Sequence, residues 1–130
     1  MNRFYPMEQK HPFAELIGLQ YLKTEDQLFT CKLEINPSHL NPNGVVHGGV
    51  LYTLADTCMG GALFYSLEEG KTCATVEIKI SYFKPVREGS VICRAKIIHR
   101  GNSLASLEAE VTLDELLVSK AYGTFAIFSI

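Results

Sequence analysis

The sequence lacks three features that would each assign the chain to a class of protein. It has no excess of basic residues, since its formal net charge is −2, and nucleic-acid binding needs a positive surface. None of its four cysteines forms a C-x-x-C pair, which excludes the usual zinc and redox motifs. It also has no membrane-spanning run, because its longest weakly charged stretch, Gly48 to Tyr65, contains Asp56, two threonines and four glycines.

The composition that remains is that of an ordinary globular protein. The 130 residues are 47% hydrophobic and 20% charged, which predicts one domain over residues 1–130 with a single core. Residues 1–10 contain no apolar run, so we expect no signal peptide. Cys31, Cys58 and Cys93 lie in periodic apolar segments, which is typical of reduced core thiols. We therefore expect a cytoplasmic protein with neither a metal nor a cofactor.

Hydrophobic periodicity predicts an α+β fold. Apolar residues at helical spacing predict one long helix over residues 48–65, with nearly all of its faces buried. Alternating apolar residues predict strands over about 27–35, 75–82, 91–100, 105–113 and 116–128, with turns at Gly101-Asn102 and Asp114-Glu115. A short helix over 12–18 and an edge strand over 19–24 precede them. The order predicts one curved antiparallel sheet wrapped around one central helix.

The predicted sheet leaves apolar residues on its outer face. One face of the sheet covers only one side of the helix, while Ile92, Ile98 and Leu104 alternate to the other face. We therefore expect a homo-oligomer, most simply with two-fold symmetry that also covers an edge strand.

The chemistry-bearing residues gather where the long helix begins. His47-Gly48-Gly49 precedes it, and a helix start offers unpaired N–H groups with partial positive charge. Such a site suits a polarised carbonyl, which predicts acyl transfer or hydrolysis with the Gly49 N–H as donor. Asp56 is the only charged residue of the helix, and serves either as a catalytic group or as a buried acid satisfied by N–H groups. His47 either contacts the ligand or caps the helix.

These residues resemble a known family. His47-Gly48-Gly49, then Leu54-Ala55-Asp56-Thr57, and then the segment from Thr75 to Lys84-Pro85 are similar to the hotdog-fold acyl-CoA thioesterases of the phenylacetate-degradation (PaaI-like) type. The resemblance extends from about residue 12 to residue 128. It implies hydrolysis of an acyl-CoA by a homo-oligomer, a dimer that often pairs into a dimer of dimers.

The resemblance also implies roles for individual residues. Asp56 matches the catalytic carboxylate, as base or nucleophile, and Gly49 matches the oxyanion donor. Asn41 and His47 match the carbonyl-binding residues, while Thr75 matches a position that assists the water. In this family the aspartate and the glycine end of the helix come from opposite subunits.

Substrate contacts are predicted in two groups. The first group, Gly48 and Tyr52, lies beside the catalytic motif, and Tyr52 is a candidate for lining an acyl tunnel. We expect the other aromatic residues of this region, Phe64 and Tyr82, to pack in the core or to lie at the surface. The second group lies at strand ends in a basic part of the chain and comprises Lys84, Arg87, Arg100, Gly101 and Asn102. Its cations either bind the phosphates of coenzyme A or only keep a strand face soluble.

Two other functions stay open. Asn36-Pro37-Ser38-His39 is similar to the Asn-Pro-x-His motif of hotdog hydratases and dehydratases, with His39 as the acting residue, although Ile35 stands where those enzymes have an acid. A non-catalytic acyl-binding protein would use the same fold.

Overall fold

The computed structural model describes residues 11–25 and 28–130. The expected absence of a signal peptide concerns residues 1–10, and the predicted start of the second strand falls on Gln27; both lie outside the described residues. In chain order the elements are α1 (Pro12–Ile17), β1 (Gln20–Glu25), β2 (Leu28–Glu34), a 3-10 helix (Pro37–His39), α2 (Gly48–Phe64), β3 (Lys71–Tyr82), β4 (Ser90–Arg100), β5 (Leu104–Leu113) and β6 (Leu116–Ser129).

The six strands form one antiparallel sheet in the order β1-β2-β4-β5-β6-β3. Consecutive hairpins build β4, β5 and β6, and the tightest turn places Asp114 and Glu115 at φ +49° and +68°. Two successive left-handed residues match the twist of a two-residue hairpin. The connection through α2 carries the chain from β2 to the far side of the sheet, so that β1 and β3 are its edges.

The core lies between α2 and one face of the sheet. The helix contacts five strands, β2 to β6, so the sheet wraps around it as predicted. Inward-facing side chains alternate along the strands and are at most 1% exposed, among them Leu33, Val91, Cys93, Ala95, Leu107, Ala109, Val111 and Phe125. Each fully buried leucine, valine or phenylalanine stabilises this layer by roughly 1.5–3 kcal/mol.

Three of the cysteines belong to this core, as predicted. Cys31 and Cys93 are directly opposite each other on β2 and β4, and Cys58 faces them from α2. All three are free thiols, and the Cys58 Sγ donates to the Phe29 carbonyl at 3.2 Å. Burial raises the pKa of the Cys58 thiol well above its usual range. Cys73 differs, because it is only half-buried.

Two expectations about the core were wrong. The long helix is not buried on nearly all its faces, since Tyr52 is 36% exposed and the residues that share its face line an open cavity. The strand predicted to begin at Thr75 begins at Lys71. Its simple alternation also fails at Val76, which is inserted as a bulge between Thr75 and Glu77 opposite β6 and is 59% exposed. A bulge of this kind bends the strand and redirects neighbouring side chains.

The outer face of the sheet carries the expected apolar residues. Ile98 and Leu104 are 52% and 53% exposed, and Tyr122 and Phe128 lie on the same sheet at 53% and 46%. Ile92 is half-buried. Among residues 11–25 and 28–130, no helix combines the length and the hydropathy needed to cross a lipid bilayer.

Candidate active site

A side cavity of about 520 Å³ lies along the open face of α2. Residues at every fourth position of the helix, Tyr52, Asp56, Gly60 and Phe64, fall on one face and line it. The remaining lining residues come from α1, β1, β3, β6 and the rest of α2, and are His11, Phe13, Tyr21, Thr53, Thr57, Gly61, Tyr65, Thr72, Cys73, Ala74, Thr75 and Phe125. Six of these sixteen lining residues are aromatic and four are threonines, and Asp56 is the one carboxylate among them.

Asp56 is fixed in the cavity wall by β3. The Thr75 hydroxyl donates to one carboxylate oxygen of Asp56 at 2.7 Å, next to the bulge at Val76. The side chain of Asp56 is half-buried, and no hydrogen bond to its second oxygen is found among residues 11–25 and 28–130, which leaves that oxygen for a ligand or a water molecule. The structure thus brings together two predicted catalytic residues, Asp56 and Thr75, with the predicted substrate residue Tyr52.

The start of α2 forms a second group of predicted residues. His47 caps the helix, and its Nδ1 accepts the Gly49 N–H at 2.8 Å. The Tyr82 hydroxyl donates to the Gly48 carbonyl at 2.7 Å, and the ring lies so close that a Cβ on Gly48 would be 3.0 Å from it. The peptide group between Gly48 and Gly49 is therefore held from both ends. Within this chain the Gly49 N–H is already paired, so a thioester carbonyl would have to displace His47.

Asn41 shapes the loop before the helix. Its side-chain oxygen accepts the N–H groups of Asn43 at 2.9 Å and Val45 at 3.2 Å. The structure shows no partner for its amide nitrogen among the described residues, which leaves a donor for a ligand carbonyl. Asn41 therefore has a structural acceptor and a free donor on one side chain.

The two groups are separate within one chain. Gly49 and Asp56 point to the same side of α2 but are seven residues apart, roughly 10 Å along the axis at 1.5 Å per residue. Asn41, His47, Gly48 and Gly49 are not among the residues that line the cavity. This axial separation is long for one carbonyl group to contact both the Asp56 carboxylate and the Gly49 N–H of the same chain.

The predicted coenzyme A contacts are also divided between two ends of the molecule. Lys84 and Arg87 are exposed in the loop after β3, beside the start of α2, since Val86 accepts the Val46 N–H at 2.7 Å. Arg100 lies beyond the other end of the helix, where it donates to the Ser66 carbonyl and to Glu68, both at 3.2 Å.

The environment of Arg100 favours a structural role within one chain. The pKa of the Glu68 carboxyl is lowered by its hydrogen bond to its own backbone and by the Arg100 guanidinium. Gly101 and Asn102 form the exposed tip of the predicted hairpin, next to this ion pair. The structure does not bring these residues close to Lys84 and Arg87, which lie near the opposite end of α2.

The hydratase alternative has little structural support. His39 is 3% exposed, with its Nδ1 accepting the Asn36 N–H at 3.0 Å and its Nε2 donating to the Ile17 carbonyl at 2.8 Å. Both ring nitrogens are thus engaged in holding the loop and α1 together, and His39 does not line the cavity. Its motif is an Asn-capped 3-10 turn.

Several residues of the site were missed or undervalued in the sequence. Phe64 and Tyr82 were expected only to pack or to lie at the surface, yet Phe64 lines the cavity and Tyr82 holds the Gly48 carbonyl. Gly60 and Cys73 were not singled out at all. The four-residue spacing from Tyr52 through Asp56 to Gly60 was the available signal, because it places these residues on one helix face. The contact of Tyr82 had no comparable signal.

Similar proteins identify the family. Residues 43–119 match the thioesterase superfamily. The structure of conserved protein PA5202 from Pseudomonas aeruginosa has a TM-score of 0.87 and 35% sequence identity, covering 92% of this chain and 95% of that one. Thioesterase HI1161 from Haemophilus influenzae has a TM-score of 0.87 and 26% identity, covering 90% and 82%. A variant of the phenylacetic acid degradation protein PaaI from Thermus thermophilus has a TM-score of 0.81 and 28% identity, covering 89% and 98%.

These findings agree with the resemblance seen in the motifs. They support hydrolysis of a thioester as the reaction type. In the part of the chain that the structure describes, no group of three or more His, Cys, Asp or Glu side chains is placed to hold a metal ion. The chain belongs to the thioesterase superfamily and has the hotdog fold of its PaaI-like relatives.

Proposed function

We propose that the protein hydrolyses acyl-CoA thioesters to a free acid and coenzyme A. The observation that carries this proposal is the half-buried Asp56 carboxylate, held by Thr75 at 2.7 Å in the wall of a cavity of about 520 Å³ that six aromatic residues help to line. A carboxylate beside an apolar chamber is suited to activate water or to attack a bound acyl group. Membership of the thioesterase superfamily supports a thioester as the bond that is cleaved.

Two routes use the same residues. As a base, Asp56 takes a proton from water while the water oxygen bonds to the carbonyl carbon; the carbon–sulfur bond then breaks, and the coenzyme A thiolate takes up a proton. As a nucleophile, an Asp56 oxygen bonds to the carbonyl carbon and the carbon–sulfur bond breaks, which gives a mixed anhydride and the coenzyme A thiolate; the thiolate takes up a proton, and water then hydrolyses the anhydride to the free acid and restores the Asp56 carboxylate. In both routes the Gly49 N–H, once released by His47, stabilises the negative charge on the carbonyl oxygen.

The separation of the two groups supports a site shared by two subunits. Since Asp56 and Gly49 lie roughly 10 Å apart along one helix, the second copy would supply Asn41, His47 and Gly49 to the first copy's Asp56. The edge strand β3 supports this arrangement, because an edge strand can pair with its equivalent across a two-fold axis.

Further association and substrate binding follow from other surfaces. The apolar residues of the outer sheet face would pair dimers into a dimer of dimers. In the dimer, Lys84 and Arg87 beside the start of α2 would bind the phosphates of coenzyme A. Water is the only co-substrate that hydrolysis of the acyl-CoA requires. We place the reaction in the cytoplasm.

Thiol release measures the proposed reaction directly. We expect purified protein to free thiol from at least one acyl-CoA, and Asp56→Asn to lower kcat by at least roughly 100-fold, the scale of general-base catalysis. Asp114→Asn makes the same chemical change in an exposed turn and should retain full activity. An Asp56→Asn protein that is folded and as fast as the wild type would refute the role of Asp56.

Mixing two inactive variants tests the shared site. We expect Asn41→Asp to be inactive as well, because it keeps the acceptor for the Asn43 and Val45 N–H groups but replaces the amide donor with a second, negatively charged oxygen. If the site combines residues of two subunits, exchange between Asn41→Asp and Asp56→Asn subunits should restore about a quarter of the wild-type activity, because half of the dimers are mixed and each has one intact site. A mixture that stays inactive despite verified exchange would contradict sharing.

A further inference from the structure

The cavity continues past the catalytic carboxylate along α2. Asp56 and Gly60 are four residues apart on the helix face that lines the cavity, and Phe64 follows after four more. Gly60 therefore leaves a gap about 6 Å beyond Asp56 along the helix axis, and Phe64 follows on the same helix face as the next side chain after that gap. An acyl group whose carbonyl is held at Asp56 would extend into this gap.

The fold itself does not require glycine at this position. A Cβ added to Gly60 would lie 3.7 Å from the Phe125 ring, an ordinary van der Waals distance. The adjacent Gly61 is different, because a Cβ there would lie 2.5 Å from the Phe29 ring in the core. Glycine inside a helix costs about 1 kcal/mol relative to alanine, and the packing explains this cost at Gly61 but not at Gly60.

Phe125 and Cys73 lie beside the gap, and the rest of the cavity wall includes four threonines. Phe125 lies across from Gly60, and Tyr65, Cys73 and Phe64 line the same cavity. Neither lysine nor arginine is among the described lining residues, and His11, the one imidazole there, accepts the Ala14 N–H at 3.2 Å, so a second carboxylate on the acyl group would find no permanent cation there. The space suits the uncharged, apolar end of an acyl chain.

We infer that Gly60 is a specificity-determining residue, whose missing side chain sets the length of uncharged acyl group that the enzyme accepts. The inference rests on the proposed hydrolysis of acyl-CoA. The gap would hold roughly four chain carbons beyond the carbonyl, as estimated from the length of one helical turn. A methyl group at position 60 removes part of that space, and truncation of Phe64 adds to it.

A series of linear substrates measures the depth of the chamber. The kcat/KM values of the wild type, Gly60→Ala and Gly60→Val are compared on acetyl-, butanoyl-, hexanoyl- and octanoyl-CoA. For the longest chain that the wild type accepts well, we expect kcat/KM to fall about tenfold in Gly60→Ala and further in Gly60→Val, the scale of one added carbon in a tight pocket. Acetyl-CoA should change by less than about twofold, since it does not reach the gap.

Phe64→Ala should have the opposite effect to the Gly60 substitutions, because it enlarges the cavity. It should raise the relative kcat/KM for the longer chains, so the inference does not depend on a loss of activity alone. Gly61→Ala serves as the packing comparison, because its thermal midpoint should fall while that of Gly60→Ala stays at or above that of the wild type.

The outcomes separate the two proposals. A wild type that frees thiol from some acyl-CoA, with the same chain-length profile in Gly60→Ala and Gly60→Val, overturns the role of Gly60 and leaves the proposed function standing. An equal fall on all chain lengths also overturns it. A folded wild type that frees no thiol from any acyl-CoA overturns the proposed function together with this inference.

Discussion

Tyr82→Phe removes one hydrogen bond from the peptide group that we propose contacts the thioester. The Tyr82 hydroxyl donates to the Gly48 carbonyl at 2.7 Å, and the N–H at the other end of the same peptide group belongs to Gly49. A hydrogen bond accepted by an amide carbonyl polarises the amide and strengthens its N–H as a donor. Loss of the hydroxyl should therefore weaken the Gly49 N–H and loosen the orientation of the peptide group.

The expected loss follows from the size of each effect. Removing one oxyanion donor costs about 2.7–4 kcal/mol, and cooperative polarisation changes a hydrogen bond by about 10–30%. The product, about 0.3–1.2 kcal/mol, corresponds to a roughly 2- to 8-fold fall in kcat. One neutral hydrogen bond contributes about 1 kcal/mol to the free energy of unfolding, so the thermal midpoint should fall by roughly 3–5 °C.

Initial rates of thiol release give kcat and KM for Tyr82→Phe, and thermal unfolding is measured on the same preparation. KM should stay unchanged, because Tyr82 acts through the peptide group and does not bind the substrate. Tyr122→Phe is the matched control, since it removes a hydroxyl from the outer sheet face, where the residue is 53% exposed. A Tyr82→Phe enzyme with wild-type kcat, or with a raised KM as its only change, would refute the reasoning.

Three further predictions concern the fold around the site. Gly61→Ala places a Cβ 2.5 Å from the Phe29 ring and should lower the free energy of unfolding by about 1–3 kcal/mol in denaturant titrations; an unchanged value would show that the ring moves aside freely. Glu115→Gly relieves a φ of +68° and should stabilise the chain by roughly 1 kcal/mol, so a lower thermal midpoint would contradict strain at this turn. Arg100→Gln removes the ion pair with Glu68. Because the pKa of the Glu68 carboxyl is lowered in the folded chain, the pair stabilises the fold at pH values above the usual pKa of glutamate. This stabilisation is lost as the pH falls through the lowered pKa. The thermal midpoints of Arg100→Gln and wild type should therefore differ at neutral pH and converge in acid, while a raised KM for acyl-CoA would indicate a phosphate contact instead.

Most of the fold is predictable from the sequence because each element has its own period. Alternation along β4, β5 and β6 places small and branched residues on the inner face, and the apolar run of α2, with Asp56 as its one charged residue, identifies the helix that they cover. The bulge at Val76 was not predictable, because the residues around it continue to alternate in sequence while the pairing with β6 shifts by one.

The candidate site was predictable where a residue's chemistry is unusual for its place. An aspartate inside an apolar helix identifies Asp56, and the structure adds Thr75 as its partner. The seven-residue separation between Gly49 and Asp56 can be read from the sequence, whereas a site shared by two subunits was implied only by the family resemblance, since no local pattern reports the distance between a residue and a neighbouring subunit. Arg100 shows the opposite outcome: its place at a strand end predicted a contact with coenzyme A, whereas in the structure it forms an ion pair with Glu68 of the same chain.

The four glycines of α2 show why sequence reasoning stops short of the site. In sequence they are equivalent small residues in one helix, each of them costly to helix stability. In the structure, a Cβ would contact Tyr82 at Gly48, His47 at Gly49 and the Phe29 ring at Gly61, so three are accounted for by neighbours at 3.0 Å or less. Only Gly60 has room for a side chain, because its neighbour Phe125 is 3.7 Å away. Distances of this kind, set by other strands and loops, separate a glycine needed for packing from one that leaves space for a substrate.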